Sequence, residues 1–383
     1  MKKKIFHLSG TTMPGGGPEH IYQLLKRLNR NEWDIVLCTL KDGSYWEKFN
    51  SIEIKTYSLT LRKISIKTFF NLLFILRKEK PDLIHTHGKG PGLYGRVIGK
   101  ILSIDVVHTF HGFHYEDLPS LTQKFHLAVD TFISMVTNQH IFVSKGEKKR
   151  AGIIRFLDEK NSTVIHNGVD HEYIDSLSIS RNKILKSIGC GNWENNKKLG
   201  TISRISPEKG ILNLLSAFSK SIKEIPDLRL IIIGGHSEEH RSYYQEIVNL
   251  IKKEKLTQHV RILGYREDAL EILKCMDFYI SSSLSEGLPI SLLEAFAARI
   301  PTIATEIAGN VDVLPNSIFG ILVKPHSPES LTLGILKMTQ LTKNERNTIT
   351  RNAYNRIKEH FSIEEMVQKT VLLYRKVLNK DSI

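Results

Sequence analysis

The feature that most constrains this chain is an alternation of short apolar strands with amphipathic helices, run through twice. Residues 4–9 read as a buried strand, followed by the loop GTTMPGGGPEH and a helix reaching about Leu28. Further strands are predicted at 33–40, 52–57, 82–87, 105–110, 140–144 and 162–166, with helices at 63–77, 92–102 and 121–136 between them. The stretch 176–198 then turns polar, with paired asparagines and two glycines, and reads as a linker with a short helix. After it the pattern restarts. Strands are expected at 198–203, 228–234, 260–263, 278–282, 302–304 and 321–323, and helices at 211–222, 242–254, 269–274, 327–341, 344–359 and 363–378. Strands that alternate with helices pair in parallel, because each helix is the crossover that returns the chain to the same edge. The expectation is an α/β protein of two Rossmann-like doubly wound domains, 1–175 and 176–360, facing each other across a cleft. A closing helix in 361–383 is expected to pack back on the first.

In such sheets ligands gather beyond the carboxyl ends of the strands, and the loops there carry the chemistry. SSSLSEGLPISLLEAFAARIPTI, at 281–303, runs from a strand end through Gly287 into a helix expected to begin at Pro289, where a missing N–H costs nothing. Glu286 precedes the helix and Glu294 lies inside it. Free N–H groups at a helix start bind anions, and a neighbouring carboxylate binds hydroxyls. Nucleotide sugars offer both. In RISPEKG, Arg204 and Lys209 flank a turn that contains Pro207, and their heads are expected to converge on a diphosphate. The first loop brings Gly16 and Gly17 before a helix, although its spacing is not G-x-G-x-x-G.

Two adjacent strands end in histidines, His85 and His87 in one and His108, His111 and His114 at the other. Functional weight falls on His111, which stands between a strand end and Gly112. No acid or cysteine stands at ligand spacing from these residues, so no metal site is expected. The 63–77 helix is strongly apolar with basic ends. Ile64, Phe69, Leu72, Leu73 and Leu76 would form its packed face, widened by Phe70, Phe74 and Ile75.

Composition narrows the partners. The formal charge is +14, shared between the two halves, which fits anionic lipid or phosphate-bearing substrates better than a nucleic-acid module. Three scattered cysteines without a CxxC exclude a disulfide framework and favour a reducing compartment. No apolar run approaches the roughly 18 residues of a spanning helix, and the first residues are too short an apolar run for a signal peptide. A soluble or peripheral protein is expected.

The segments NGVD at 167–170, RISPEKG at 204–210 and EGLPISLLEA at 286–295, with GGPE at 16–19 and TFHG at 109–112, resemble glycosyltransferase family 4. The likeness spans nearly the whole chain, and its E-x7-E with the Arg…Lys pair is the specific part. It implies the GT-B fold and retaining transfer from a nucleotide sugar. By the same likeness Arg204 and Lys209 would hold the diphosphate, and Glu286 the donor sugar near the reacting carbon. Glu294 would bind the ribose, and backbone from Gly287 through Leu288, Pro289 and Ile290 to Ser291 would complete the phosphate cradle. Gly16, Gly17 and His111 would meet the donor from the first domain, and Gly264, Tyr265 and Arg266 would border the base. Pro18 and the extra Gly15 depart from the family pattern.

With no D-x-D motif to seat a divalent ion, fixed cations would stabilise the leaving group, so neither a metal nor a cofactor is expected. Two routes to retention stay open, a Glu286 nucleophile and front-face attack. The donor expected is a UDP-hexose or UDP-N-acetylhexosamine. The acceptor expected is a saccharide or polyprenyl-diphosphate-linked sugar in capsule, O-antigen or other surface polysaccharide synthesis, reached at the inner face of the cell membrane. A UDP-sugar epimerase of the same architecture, a nicotinamide oxidoreductase and a non-catalytic sugar-nucleotide-binding subunit are the competing readings.

Overall fold

A computed structural model describes residues 2–112, 120–154, 157 and 159–379. The chain divides into two compact units, residues 1–168 with 363–383, and residues 169–362. The division thus follows Gly168, and the helix Ile363–Leu378 belongs to the first unit.

The first unit is built on seven strands: β1 (Lys3–Leu8), β2 (Trp33–Thr39), β3 (Lys55–Ser58), β4 (Leu83–His87), β5 (Asp105–Phe110), β6 (Gln139–Phe142) and β7 (Ser162–Val164). Their order is β3-β2-β1-β4-β5-β6-β7, and every pairing is parallel. Both faces are covered, as an all-parallel sheet requires. On one face Phe6, Val36, Ile84 and Val106 pack under Leu72, Leu76 and Ile98. On the other, Ile5, Ile35, Leu83 and Val107 meet the helix Gly16–Arg27 and the C-terminal helix Ile363–Leu378. That last helix buries Ile363, Met366, Tyr374 and Val377, each worth roughly 1.5–3 kcal/mol of burial. Its Arg375 also forks onto Glu32 at 2.8 Å through both nitrogens.

The second unit carries six parallel strands: β8 (Lys197–Ile202), β9 (Leu228–Ile233), β10 (Val260–Ile262), β11 (Phe278–Ser281), β12 (Thr302–Thr305) and β13 (Ile321–Val323). They run in the order β10-β9-β8-β11-β12-β13. Its core joins Leu199, Leu230, Ile232, Phe278, Ile280 and Ile303 to Leu214, Phe218 and Ile335 of the flanking helices.

The expected linker at 176–198 instead belongs to this unit. It forms the helix Arg181–Ser187 and a 3₁₀ turn at Gly191–Trp193, and Trp193 is almost fully buried. A large indole in a polar stretch outweighed the local composition. Ile64, expected on a packed helix face, is 83% exposed because Ser65 caps the helix Ile66–Glu79 and leaves Ile64 outside it. Short helices at Tyr45–Ser51, Lys145–Ala151, His171–Ser176 and Ala308–Val313 escaped the sequence reading, each being too brief to show a period. Cys38, Cys190 and Cys275 are free and buried.

Candidate active site

In the second unit the strand order reverses between β8 and β11. The chain leaves β8 for β9 on one side, while β11 pairs on the other. That reversal opens a crevice at the carboxyl ends, the usual ligand position in such sheets. RISPEKG follows β8 and SEGLP follows β11, and backbone stitches the two loops together. Leu284 N–H donates to the Glu208 carbonyl at 2.8 Å, and the Ser282 hydroxyl to the Lys209 carbonyl at 2.9 Å. Gly210 makes this approach possible. It sits at φ 63°, and a Cβ there would lie 2.2 Å from the Ser282 carbonyl oxygen.

The stitching brings Lys209 Nζ to 2.6 Å from Glu286 Oε1, and the Ser283 hydroxyl donates to the same oxygen at 2.8 Å. Lys209 and Glu286 side chains are only 13% and 14% exposed, so little water screens their attraction. Arg204 goes elsewhere. Its side chain is 62% exposed and pairs with Glu208 at 3.4 Å, so the two cations each hold their own carboxylate instead of turning toward each other. Burial works against ionisation of Glu208, yet the Ser206 hydroxyl at 2.6 Å, a backbone N–H and Arg204 outweigh it and hold its carboxyl below the usual range.

Four residues beyond Glu286 the helix Ile290–Ala297 begins. Pro289 is its N-cap rather than its first helical residue. At ψ 115° it keeps the extended backbone that hands the chain into the helix, and no side chain caps this start among the described residues. Glu294 follows one turn in and is half-buried. Tyr279 donates to the Ser291 hydroxyl at 2.9 Å. Burial, reinforced by the charges of Glu294 and Glu286, pushes its phenol well above the ordinary value and keeps it a neutral donor.

The floor under the loop was not legible in the sequence. A Cβ on Gly309 would stand 2.6 Å from the Gly287 carbonyl oxygen and 3.0 Å from Glu286 Cβ. Thr305 donates its hydroxyl to the Ser283 carbonyl, and Asn310 Nδ2 to the Thr305 carbonyl at 2.8 Å. At the ends of β9 and β10, Gly234 N–H donates to the Gly264 carbonyl and Ile205 N–H to that of Gly235, both at 2.8 Å. Tyr265 is 43% exposed beside them, and Arg266 forks onto Asp268 at 2.8 and 2.7 Å.

The first unit has its own reversal, between β1 and β4. The glycine loop follows β1 and is anchored by Asp42, which accepts from Thr12 N–H at 2.6 Å and Thr11 Oγ1 at 2.7 Å. Gly16 opens the helix Gly16–Arg27, and a Cβ on Gly17 would meet nothing within 4 Å. Open space faces this backbone. Glu19 is engaged by Gln23 at 2.6 Å and by the Tyr45 hydroxyl.

Histidines fill the rest of this edge. His7 Nδ1 lies 3.2 Å from His87 Nε2, and His87 Nδ1 lies 3.1 Å from His111 Nε2. His20 Nδ1 stands 3.0 Å from Asn167 Oδ1, with its ring edge-on to His111 at 4.9 Å. His85 is held by Tyr374 at 2.5 Å and Thr109 at 2.7 Å, and His108 by Thr86 at 2.8 Å. Burial drives all six imidazoles toward the neutral form: His7 to about 3, His20 to about 4, the other four well below the usual value. One ligand atom from each of His20, His87 and His111 lies within 4.8 Å of the others, as do those of His7, His85 and His87. Linear spacing hid these groupings because their members come from β1, β4, the end of β5 and the first helix. Glu147, fully buried, accepts from Gly112 N–H at 2.6 Å and Val143 N–H at 2.8 Å, and so fixes the segment that carries His111. His114 lies outside the described residues.

Solved structures share this architecture over almost the whole chain. A glycosyltransferase from Rickettsia africae matches with a TM-score of 0.84 at 22% identity, covering 99% of each chain. The Anabaena protein HepE, solved with UDP and glucose, matches with a TM-score of 0.86 at 20% identity, covering 98% of this chain and 100% of that one. The architecture is the GT-B fold, two Rossmann-like parallel-sheet domains.

The family description "Glycosyltransferase Family 4" matches residues 14–173, and "Glycosyl transferases group 1" matches residues 190–356. The UDP-Gal:α-D-GlcNAc-diphosphoundecaprenol α-1,3-galactosyltransferase of Escherichia coli is 28% identical across 97% of both chains. The α-monoglucosyldiacylglycerol synthase of Streptococcus pneumoniae is 26% identical, over 85% of this chain and 75% of that protein. The chain belongs to glycosyltransferase family 4. It is a glycosyltransferase.

Proposed function

We propose that this enzyme transfers a hexose or N-acetylhexosamine, with retention, from a UDP-sugar to a polyprenyl-diphosphate-linked saccharide in surface-polysaccharide, capsule or O-antigen synthesis. The observation that carries the reading is the Lys209–Glu286 pair beside an uncapped helix N-terminus at the β8/β11 crevice. It sets a fixed cation and helix-start N–H groups for phosphate beside a carboxylate for sugar hydroxyls. The donor class is supported by the bound UDP of the Anabaena neighbour, and the acceptor class by the name of the Escherichia coli relative. The Escherichia coli relative is named for transfer and the Anabaena neighbour holds UDP and glucose, which favours transfer over epimerisation or a purely binding role.

The chemistry follows from charge. The bond between the anomeric carbon and the β-phosphate oxygen breaks, leaving an oxocarbenium-like sugar and a more negative diphosphate. Lys209, Arg204 and the N–H groups from Gly287 to Ser291 stabilise that diphosphate. Fixed cations suffice there, so this step needs no divalent ion and no cofactor. The acceptor hydroxyl forms the new bond and its proton passes to the departing phosphate oxygen. Glu286 already bears Lys209 and Ser283 on one oxygen, which lowers its nucleophilicity and suits it to holding sugar hydroxyls. Front-face attack is therefore the preferred route. Glu294 holds the ribose, Gly264, Tyr265 and Arg266 border the base, and Gly16, Gly17 and His111 serve the donor from the first domain. On this reading the first unit takes the acceptor and the second the donor.

The acceptor's lipid calls for a membrane surface. Among the described residues no helix is long and apolar enough to cross one. The helix Ile66–Glu79 exposes Ile66, Phe70 and Phe74 four residues apart on one stripe, with Lys63, Lys67, Arg77 and Lys78 around it. The helix Ser120–Ser134 exposes Leu121, Phe125 and Phe132. Apolar stripes bordered by basic residues bind anionic bilayers peripherally, in keeping with work at the inner face of the cell membrane.

A panel of nucleotide sugars tests the reading, first by thermal stabilisation and then by transfer to an undecaprenyl-diphosphate sugar. A UDP-sugar should stabilise most and give an α-configured product. Stabilisation by no nucleotide sugar, or release of a free epimer without transfer, would reject it. Co-sedimentation with vesicles tests the membrane part, which fails if anionic lipid is not preferred over neutral lipid.

A further inference from the structure

The histidine cluster of the first unit is larger than the transfer reaction uses. Only His111 has a place in the proposed donor site, yet His20 and His87 meet it with ring nitrogens while His7 backs the group. We propose that His20, His87 and His111 form a binding site for a borderline-soft divalent cation of the zinc class, apart from the diphosphate chemistry.

Three observations converge. First, the spacing fits. A tetrahedral site with metal–nitrogen bonds of about 2.0–2.1 Å holds its ligand atoms roughly 3.3 Å apart. His87 Nδ1 and His111 Nε2 stand 3.1 Å apart, and one nitrogen of His20 completes a set whose members all lie within 4.8 Å. Three imidazoles leave a fourth position for water, as open zinc sites do.

Second, the outer partners assign the tautomers that ligation requires. His20 Nδ1 faces the Asn167 carbonyl oxygen at 3.0 Å, so that nitrogen carries the proton and Nε2 offers a lone pair. His87 can carry its proton on Nε2 toward His7 Nδ1 at 3.2 Å, which frees its Nδ1. The proton of His7 then sits on Nε2, a buried nitrogen with no hydrogen-bond partner among the described residues, so this tautomer leaves one donor unsatisfied.

Third, the site has a way in. His111 is half-buried at the end of β5, whereas His20 and His87 are buried behind it. The neighbouring trio of His7, His85 and His87 is less suited. Both ring nitrogens of His85 are taken, by Tyr374 and Thr109, and all three residues are buried. Its role is to brace the outer set. With only imidazole ligands and no carboxylate in the set, magnesium and calcium are poor occupants and zinc, cobalt or nickel good ones.

Cobalt(II) titration of the full chain, stripped of metal by a chelator, tests the proposal. The expected result is saturable visible d–d absorption at a single equivalent, displaced by zinc, and lost in both His111→Ala and His20→Asn but kept in His236→Ala. Magnesium should not compete. Should either variant fail to fold, ¹⁵N resonances of the imidazoles in the unaltered protein give the answer, since zinc should move those of His20, His87 and His111. Absence of saturable absorption, absorption undiminished in His111→Ala, or unmoved imidazole resonances would each overturn the site.

Discussion

The two strand-order reversals of this molecule occupy the same topological position and hold opposite chemistry. Between β8 and β11 the loops carry a charged pair, Lys209 on Glu286 at 2.6 Å, next to an uncapped helix start. Between β1 and β4 the same place is filled by neutral, buried imidazoles behind an open glycine loop. The doubly wound sheet decides where a ligand meets the chain, and the side chains decide what it is. On the proposed reading, the fixed positive charge and the helix-start N–H groups suit a diphosphate. Neutral imidazoles bring no fixed charge for an anion, and their free ring nitrogens suit sugar hydroxyls or a soft cation.

The comparison breaks most visibly at Lys209. Lys209→Ala removes the cation from the leaving group and leaves Glu286 with little water, so transfer should fall about 10³-fold in initial-rate assays. A fall of less than about tenfold would mean that Arg204 and the helix start carry the diphosphate alone. Gly210→Ala tests the stitching that creates the pair. Its Cβ would lie 2.2 Å from the Ser282 carbonyl oxygen at a left-handed φ, and the second unit should lose about 1–3 kcal/mol by chemical denaturation. An unchanged midpoint would show that the two loops meet by other contacts.

The histidine edge should respond to acid. Its imidazoles have folded values below the unfolded one, with His7 at about 3 and His20 at about 4. Between those values and the ordinary 6.5 the unfolded chain binds more protons, so stability is present above the unfolded value and falls as pH drops through this window. Each histidine adds a slope of about 1.4 kcal/mol per pH unit there. In chelator, the first unit should therefore unfold before the second as pH falls toward 4.5, followed by amide exchange. Simultaneous loss of both units would contradict the contrast. The smallest effect concerns the surface. Phe70→Ser with Phe74→Ser should weaken binding to anionic vesicles about tenfold and leave UDP affinity unchanged.

How far the sequence speaks divides along the same line. Both parallel sheets were legible because a period of strand and helix survives in each half, and the SEGLP and RISPEKG loops because glycine and proline mark their turns. Trp193 shows the limit, since a polar stretch with one indole gave no sign that the indole is buried. The resemblance put Lys209 and Glu286 in one site, but neither their direct contact across 77 positions nor the separate partner of Arg204 was legible. Gly309, Thr305, Asn310 and Glu147 act through backbone contacts that leave no motif. His20, His87 and His111 come from three separate segments, so no ligand spacing could announce them. Ile64 failed for a plainer reason: its helix starts two residues later, at a serine cap.

The central claim is that the β8/β11 crevice holds the nucleotide. Calorimetric titration of UDP into the unaltered protein, Lys209→Ala and Glu294→Ala tests it most directly. Each substitution should weaken UDP binding at least about tenfold, a loss of roughly 1.4 kcal/mol or more. Affinities unchanged in both variants would place the nucleotide elsewhere and contradict it.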